Sequence, residues 1–200
     1  MMPKPYVVFL NGPPGSGKDY ATEILLHEDD LTVIHHKFSG PLKDMASALL
    51  RISKIELEMS KPLIVPPYNV SIRQLLIDMS EKWMKPCYGT DIFGKIATEL
   101  LAEHIQLTDE LKEDQPDLFV ISDSGFDKEA HSVLQLFGNE NALLIRLHRD
   151  GCTFEGDSRS YIELDDVRSV DINNDGTSSF NVKLIRVVKD WIAEREANGQ

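Results

Sequence analysis

One short stretch near the N-terminus restricts the possible folds of this chain more than any other feature. Residues 6–10 (YVVFL) form a continuous apolar run, which is typical of a strand buried on both faces of a parallel sheet. The glycine-rich segment GPPGSGKD, residues 12–19, follows, and apolar residues at helical spacing predict a helix over about residues 17–27. A strand, a glycine loop and a helix in this order predict an α/β fold whose loop binds phosphate.

The glycine loop matches the pattern G-x-x-x-x-G-K. Its glycines let successive backbone N–H groups point at phosphate oxygens, and the following helix contributes the positive end of its dipole. Lys18 is placed to reach the β and γ phosphates of a nucleotide. The alternative is a glycine-rich turn without a ligand, but the strand before it and the helix after it favour a phosphate loop. The residues predicted to bind the nucleotide here are Gly12, Gly15, Ser16, Gly17, Lys18 and Asp19.

Asp19 occupies the position at which such loops usually carry Ser or Thr. Mg²⁺ accepts carboxylate oxygens, directly or through its waters, so Asp19 predicts a site that depends on Mg²⁺ more than a hydroxyl version would. The alternative is that the charge of Asp19 only favours the N-terminus of the helix. Both roles stay open at the level of the sequence.

The rest of the chain alternates between strand and helix patterns. Further apolar runs of strand type occupy residues 31–36, 118–122, 142–147 and 170–172. Residues 52–70 contain three prolines and predict a loop with one helical turn, and the helix that follows Ser71 should stop near Lys85, before Pro86. The alternation predicts one domain, residues 1–200, with a three-layer α/β fold and a mainly parallel sheet.

Composition narrows the class of partner. Thirty-three acidic residues against 21 basic ones give a formal net charge of −12, which disfavours binding to nucleic acid. No apolar run approaches the ~18 residues needed to cross a bilayer. Cys87 and Cys152 form no CxxC pair and are interpreted as reduced thiols. We therefore expect a cytoplasmic protein without a membrane partner, and a homodimer stays open.

A second set of candidates lies outside the loop. Asp123 directly follows the apolar run at 118–122, where an acidic residue can hold Mg²⁺ or orient an attacking group, although it could also be a helix cap. The polar segment 149–163 contains two glycines and predicts a mobile lid. Each single cation could instead be a solvated surface charge. The candidate catalytic residues are Lys18, Arg73, Asp123, Arg149 and Arg159, and the candidate metal ligands are Asp19 and Asp123.

The order of motifs along the chain resembles that of phage-type deoxynucleoside monophosphate kinases. The matching segments are GPPGSGKD, FSGPLKDMASALL, SIRQLL, ISDSGFDKEA, LLIRLHRDG, DSRSYIE and DINNDGT, and the resemblance covers about residues 6–192. That family tends to have Asp after the loop lysine, as here. The resemblance implies an enzyme that uses ATP and Mg²⁺ to phosphorylate a deoxynucleoside 5′-monophosphate.

The same resemblance implies roles for individual residues. Lys43, Arg73 and Asp123 match positions on the acceptor side, within and beside a helical acceptor-binding region at about 37–107. Arg149 and Arg159 match the lid, and Asn174 matches a segment near the ATP base.

One departure from the family pattern concerns the acceptor. The family usually has an Arg two residues after the strand-end Asp, whereas this chain has Gly125, so either Lys128 or Arg159 replaces that cation or the acceptor differs. Two alternatives therefore stay open. One is a related kinase for another acceptor, such as a modified nucleotide, a base in DNA or another small molecule, and the other is a regulator that binds nucleotide without transferring phosphate.

Overall fold

The computed structural model describes residues 5–65 and 69–198, and its centre is a five-stranded parallel sheet with the strand order β2-β5-β1-β6-β7. The strands of this sheet are β1 (Tyr6–Asn11), β2 (Val33–His36), β5 (Leu118–Ser124), β6 (Ala142–His148) and β7 (Arg168–Asn173). Two short strands, β3 (Ile64–Val65) and β4 (Val70–Ser71), form a separate antiparallel pair.

Helices cover both faces of the sheet. They are α1 (Lys18–Leu26), α2 (Gly40–Leu50), α3 (Lys54–Met59), α4 (Ile72–Asp78), a π-helical segment (Met79–Met84), α5 (Lys85–Tyr88), α6 (Ile92–Leu111), α7 (Asp127–Phe137), a 3-10 turn (Asn139–Asn141) and α8 (Ser178–Asn198). Within the part of the chain that the structure describes, none of these helices has the length and apolar character needed to cross a membrane.

Successive side chains along each strand point to opposite faces of the sheet, so the hydrophobic core has two parts, one on each face. In β1, Val7 and Phe9 face one side of the sheet and pack with residues of α6 and α7, such as Phe93 and Val133. Val8 and Leu10 face the other side and pack with residues of α1 and α8, including the fully buried Trp191. Both faces of β1 are therefore apolar, as its continuous apolar sequence predicts, and the three-layer α/β fold is confirmed.

The helix after Ser71 is longer than the sequence predicts. It was expected to stop near Lys85, but it continues through Pro86 to Tyr88. The backbone widens into a π-helical segment, in which the N–H of Lys85 bonds to the carbonyl of Ser80, five residues back. A new α-helical turn then begins at Lys85, and Pro86 lies in this turn.

The segment before Ser71 is also more ordered than a loop with one helical turn. Ser53 and Glu56 form a capping box that begins α3, and β3 and β4 follow it. Pro66 and Pro67, on which the prediction of a loop partly depended, lie outside the described residues.

The parallel sheet decides where the site lies. Because all five strands of this sheet run in one direction, their carboxyl ends lie along one edge. The glycine loop after β1, residues 37–39 after β2 and Asp123 near the end of β5 therefore meet at that edge. The polar segment 149–163 begins after β6 at the same edge.

Candidate functional site

The glycine loop between β1 and α1 has a conformation that depends on its glycines. Gly15 and Gly17 have φ angles of 80° and 97°, in the left-handed region that side chains disfavour. The side-chain amide of Asn174 donates a hydrogen bond to the carbonyl of Ser16 at 3.0 Å, and a Cβ at Gly17 would collide with that amide. Asn174 therefore fixes the shape of the loop, and its place near the ATP base stays a prediction.

Of Ser16 and Lys18, only Lys18 has a side chain that is accessible to a phosphate ligand. The hydroxyl of Ser16 is fully buried and has no hydrogen-bond partner among the described residues. The ammonium of Lys18 donates to the carbonyls of Gly12 at 2.5 Å and Pro13 at 2.8 Å, so the loop curls around it. A phosphate bound there would meet the N-terminus of α1, which has no side-chain cap.

The surroundings of Lys18, the basic residue of the glycine loop, shift its pKa. Burial, together with the nearby charge of Arg159, lowers the pKa of Lys18 to about 8. The carboxylates of Asp19, Asp123 and Asp157 act in the opposite direction. A polyanionic ligand at the loop would favour the charged form of Lys18 still further.

Asp19 lies in the first turn of α1 and forms an ion pair that the sequence does not predict. Its carboxylate accepts a hydrogen bond from Lys37 at 2.6 Å, while 83% of the side chain stays exposed. Desolvation acts to raise the pKa of Asp19, but Lys37, with Lys43 and Lys18, outweighs it and holds the pKa below its usual value. An exposed, ionised carboxylate next to the loop fits the donor set that Mg²⁺ prefers, which is one or two carboxylates together with phosphate oxygens.

Asp123 connects two strands of the sheet. Its two carboxylate oxygens accept backbone hydrogen bonds from Phe38 at 2.8 Å and Ser39 at 3.0 Å, just after β2. This carboxylate therefore holds the backbone just before α2 and does not cap the helix that follows its own strand, because α7 begins at Asp127. Each oxygen keeps a further lone pair, so a metal contact stays a prediction. Among the described residues, no group of three or more His, Cys, Asp or Glu side chains could hold a metal ion without further ligands.

Arg159 lies against Gly125, the position at which the family pattern has an arginine. A Cβ added to Gly125 would be 2.5 Å from Cγ and 2.6 Å from Cδ of Arg159. Asp157 holds the guanidinium through two hydrogen bonds, from Nε at 2.9 Å and Nη2 at 2.6 Å. Of the two cations named above as replacements, Arg159 thus occupies the space next to Gly125, and Lys128 is exposed on α7.

The other three predicted cations each contact a different partner in the structure. Lys43 pairs with Glu58 at 2.7 Å, and Arg73, which is 57% exposed, approaches Asp157 at 3.8 Å. Arg149 donates to the carbonyl of Gly15 at 3.3 Å. Arg73 and Arg159 therefore share one carboxylate, whereas Arg149 lies against the glycine loop itself.

These groups surround one cavity of about 630 Å³, a size typical of ligand pockets. The predicted site residues that line it are Gly15, Gly17, Lys18, Asp19, Lys43, Arg73, Asp123 and Arg159. The described lining does not include Gly12, Ser16, Arg149 or Asn174, which support the loop.

The segment 149–163 has no helix or strand, and its C-terminal part is anchored. The buried side chain of Asn11 donates to the carbonyls of Ser124 at 2.7 Å and Ser160 at 3.0 Å. It also accepts from the N–H of Ile162 at 3.1 Å. Closure of this segment as a lid stays a prediction.

Several important residues of the site are not singled out by the sequence patterns. Asn11 could have been identified from the sequence, because it is a polar residue at the end of an otherwise apolar strand. Glu129 could also have been identified, since it lies among the buried apolar residues of α7. Lys37 had no local signal, because only the tertiary structure brings it to Asp19. Asp157 lies two positions from Arg159 in the sequence, but its approach to Arg73 also depends on the tertiary structure.

Comparison with known proteins gives little beyond the fold. No family model matches the sequence, and a search of curated proteins finds no match. Among solved structures, the chain is similar to an unliganded sugar kinase from Janibacter sp. HTCC2649, with 10% identity, a TM-score of 0.44 and coverage of 95% of each chain. At that identity and score, nothing follows about what this chain binds. The fold itself is an α/β fold with a parallel sheet and a glycine loop between β1 and α1, an arrangement typical of phosphate-binding loops.

Proposed function

We propose that this protein transfers the γ-phosphoryl group of ATP to a deoxynucleoside 5′-monophosphate with the help of Mg²⁺. The observation that carries the proposal is the composition of the cavity. The phosphate loop with Lys18 lines it together with cations from other elements, namely Lys37, Lys43, Arg73 and Arg159. Phosphoryl transfer needs cations around both the donor and the acceptor phosphate, because charge is spread over the transferring group.

Each part of the cavity has a role in this proposal. The glycine loop would hold the ATP phosphates, and Lys18 would stabilise charge on the moving group. Arg159 and Arg73, both next to Asp157, would bind the acceptor phosphate. Mg²⁺ bound to the phosphates next to Asp19, or to Asp123, would supply positive charge to the transferring oxygens.

The experiment is to incubate the protein with ATP, Mg²⁺ and each deoxynucleoside monophosphate in turn, and to measure the diphosphate product. We expect product with at least one of them. Lys18→Ala should lower the rate by roughly 10²–10³-fold, since it removes a preorganised charge. Lys95→Ala is the matched control, because Lys95 is exposed on α6 and pairs only with Asp91 among the described residues.

Other results would contradict the proposal in different ways. Transfer to a different acceptor, with none to any monophosphate, would support the related kinase that Gly125 leaves open. ATP binding without transfer to any acceptor would support the nucleotide-binding regulator. Equal rates for wild type and a folded Lys18→Ala variant would show that the loop is not the site of transfer.

A further inference from the structure

The α7 side of the cavity contains three ionisable side chains that the proposed phosphate chemistry does not use. These are Glu81, Lys85 and Glu129, which together form what we call the acidic corner. Lys85 is only 7% exposed, and its ammonium lies 2.8 Å from Glu81 Oε1 and 3.6 Å from Glu129 Oε1. The same ammonium is 3.4 Å from the centroid of the Phe126 ring. Glu81, Glu129 and Phe126 line the cavity.

Glu129 has acceptor capacity that the protein leaves unused. The residue is 3% exposed, yet its contact with Lys85 is longer than a hydrogen bond. Within the ranges 5–65 and 69–198, its carboxyl group accepts no closer hydrogen bond. A carboxylate offers about four lone-pair sites, and a buried one without donors is costly. Both facts favour a ligand that brings N–H groups to this point.

The charges of the acidic corner favour the same kind of ligand. Two carboxyl groups face one ammonium, so the corner repels carbonyl oxygens and attracts N–H donors. Burial raises the pKa of Glu129 to about 7, against the lowering effect of Lys85. N–H groups of a ligand would stabilise the ionised form of Glu129, because hydrogen bonds to the charged form of a group favour that form.

The walls next to the corner suit a flat ring. Phe93, Phe126 and Leu76 line the same cavity and provide apolar surface. Planar heterocycles bind well between such side chains while their polar edges reach nearby hydrogen-bonding groups. A nucleobase that packs against these apolar side chains would place its polar edge next to the acidic corner.

We propose that Glu81 and Glu129 accept hydrogen bonds from the amino group of the acceptor base, and so select amino-bearing bases over thymine and uracil. This inference rests on the proposed function, because it assumes that the acceptor is a nucleotide. Thymine and uracil present two carbonyl oxygens around a single N–H, and those oxygens would face the carboxyl groups. A site built to receive hydrogen-bond donors rejects a ligand that lacks them, because its buried polar groups stay unpaired.

The experiment measures the binding of dAMP, dCMP, dGMP, dTMP and dUMP to the protein, residues 1–200, by calorimetry. At least one amino-bearing monophosphate should bind at least tenfold more tightly than dTMP and dUMP. Glu129→Gln should reduce that ratio to below threefold, because an amide can donate to a carbonyl oxygen as well as accept. Glu81→Gln is a second variant with the same expectation. Glu99→Gln, at an exposed position of α6, should leave the ratio unchanged.

The outcomes separate this inference from the proposed function. If all five monophosphates bind with similar affinity, or if both variants keep the wild-type ratio, the acidic corner does not read the base, while phosphoryl transfer can still occur. If none of the five binds although ATP does, the acceptor is not a nucleoside monophosphate, and both proposals are overturned. Thermal unfolding of each variant shows that a changed ratio is not caused by loss of the fold.

Discussion

At the scale of single residues, Gly125 is explained by the side chain that lies on it. Its φ is not positive, so the backbone would accept a side chain, but Arg159 occupies the space. Gly125→Arg should therefore displace Arg159 and weaken acceptor binding, raising the acceptor KM by about 10-fold or more. This corresponds to the loss of one charge-assisted hydrogen bond, about 1.5–3 kcal/mol. Steady-state kinetics with the preferred acceptor measures the effect.

The double variant Gly125→Arg/Arg159→Ala provides the sharpest control. It removes the collision and keeps one guanidinium, so it should recover part of the lost affinity relative to either single variant. Lys128→Ala should change nothing, because Lys128 is exposed and does not line the described cavity. If Gly125→Arg, Arg159→Ala and the double variant all keep the wild-type acceptor KM, neither Gly125 nor Arg159 faces the acceptor.

At the scale of secondary-structure elements, Asn11 joins the end of β1 to the end of β5 and to residues 160–162. Asn11→Ala should lower the free energy of unfolding by about 2–4 kcal/mol, since it leaves buried backbone groups without their partners. It should also make segment 149–163 easier to cleave. Urea unfolding measures the first effect and limited proteolysis measures the second.

Tyr161→Phe is a matched control for the same segment. The Tyr161 hydroxyl donates a single hydrogen bond, to the carbonyl of Leu147 at 3.1 Å, so its loss should cost no more than about 1.5 kcal/mol. If Asn11→Ala and Tyr161→Phe are equally stable and equally resistant to protease, Asn11 does not anchor the segment.

At the scale of the whole molecule, the burial of Glu129 predicts how stability depends on pH. Its pKa is about 7 in the folded protein, against an ordinary value of 4.5, because burial disfavours the charged form. The folded state therefore binds more protons than the unfolded state between these values, and this group lowers stability as pH rises from about 4.5 to 7. The loss is complete above about pH 7 and amounts to about 3 kcal/mol at most.

Glu129→Gln removes this titration. The variant should gain stability relative to wild type as pH rises from 5 to 8, as measured by denaturant unfolding at both values. The charged groups around Glu129 are Lys85 on α5, Glu81 in the π-helical segment, Asp123 on β5 and Arg159, and all stay in place in the variant. A stability difference that is the same at pH 5 and pH 8 would show that Glu129 does not titrate in this range.

The fold class and the glycine loop could both be predicted from the sequence. Both depend on local sequence patterns, namely a continuous apolar strand, glycines at fixed spacing and a helix directly after them. The sequence also identified many of the residues that line the cavity, because the ends of parallel strands and the polar segments between elements are predictable positions. The predicted end of one helix near Lys85, before Pro86, was wrong, since a π-helical turn has no simple sequence pattern.

Which charged side chains contact one another could not be predicted without the three-dimensional packing. The pairs Lys37–Asp19 and Lys85–Glu129 join residues far apart in sequence. The same holds for the contact between Arg159 and Gly125, which are 34 positions apart by their numbers, 159 − 125. Local patterns predict which face of an element is buried, but they carry no information about which side chain of a distant element lies opposite. Charge interactions act over a few ångströms in space, so the identity of each partner, and with it each shifted pKa, follows from packing alone.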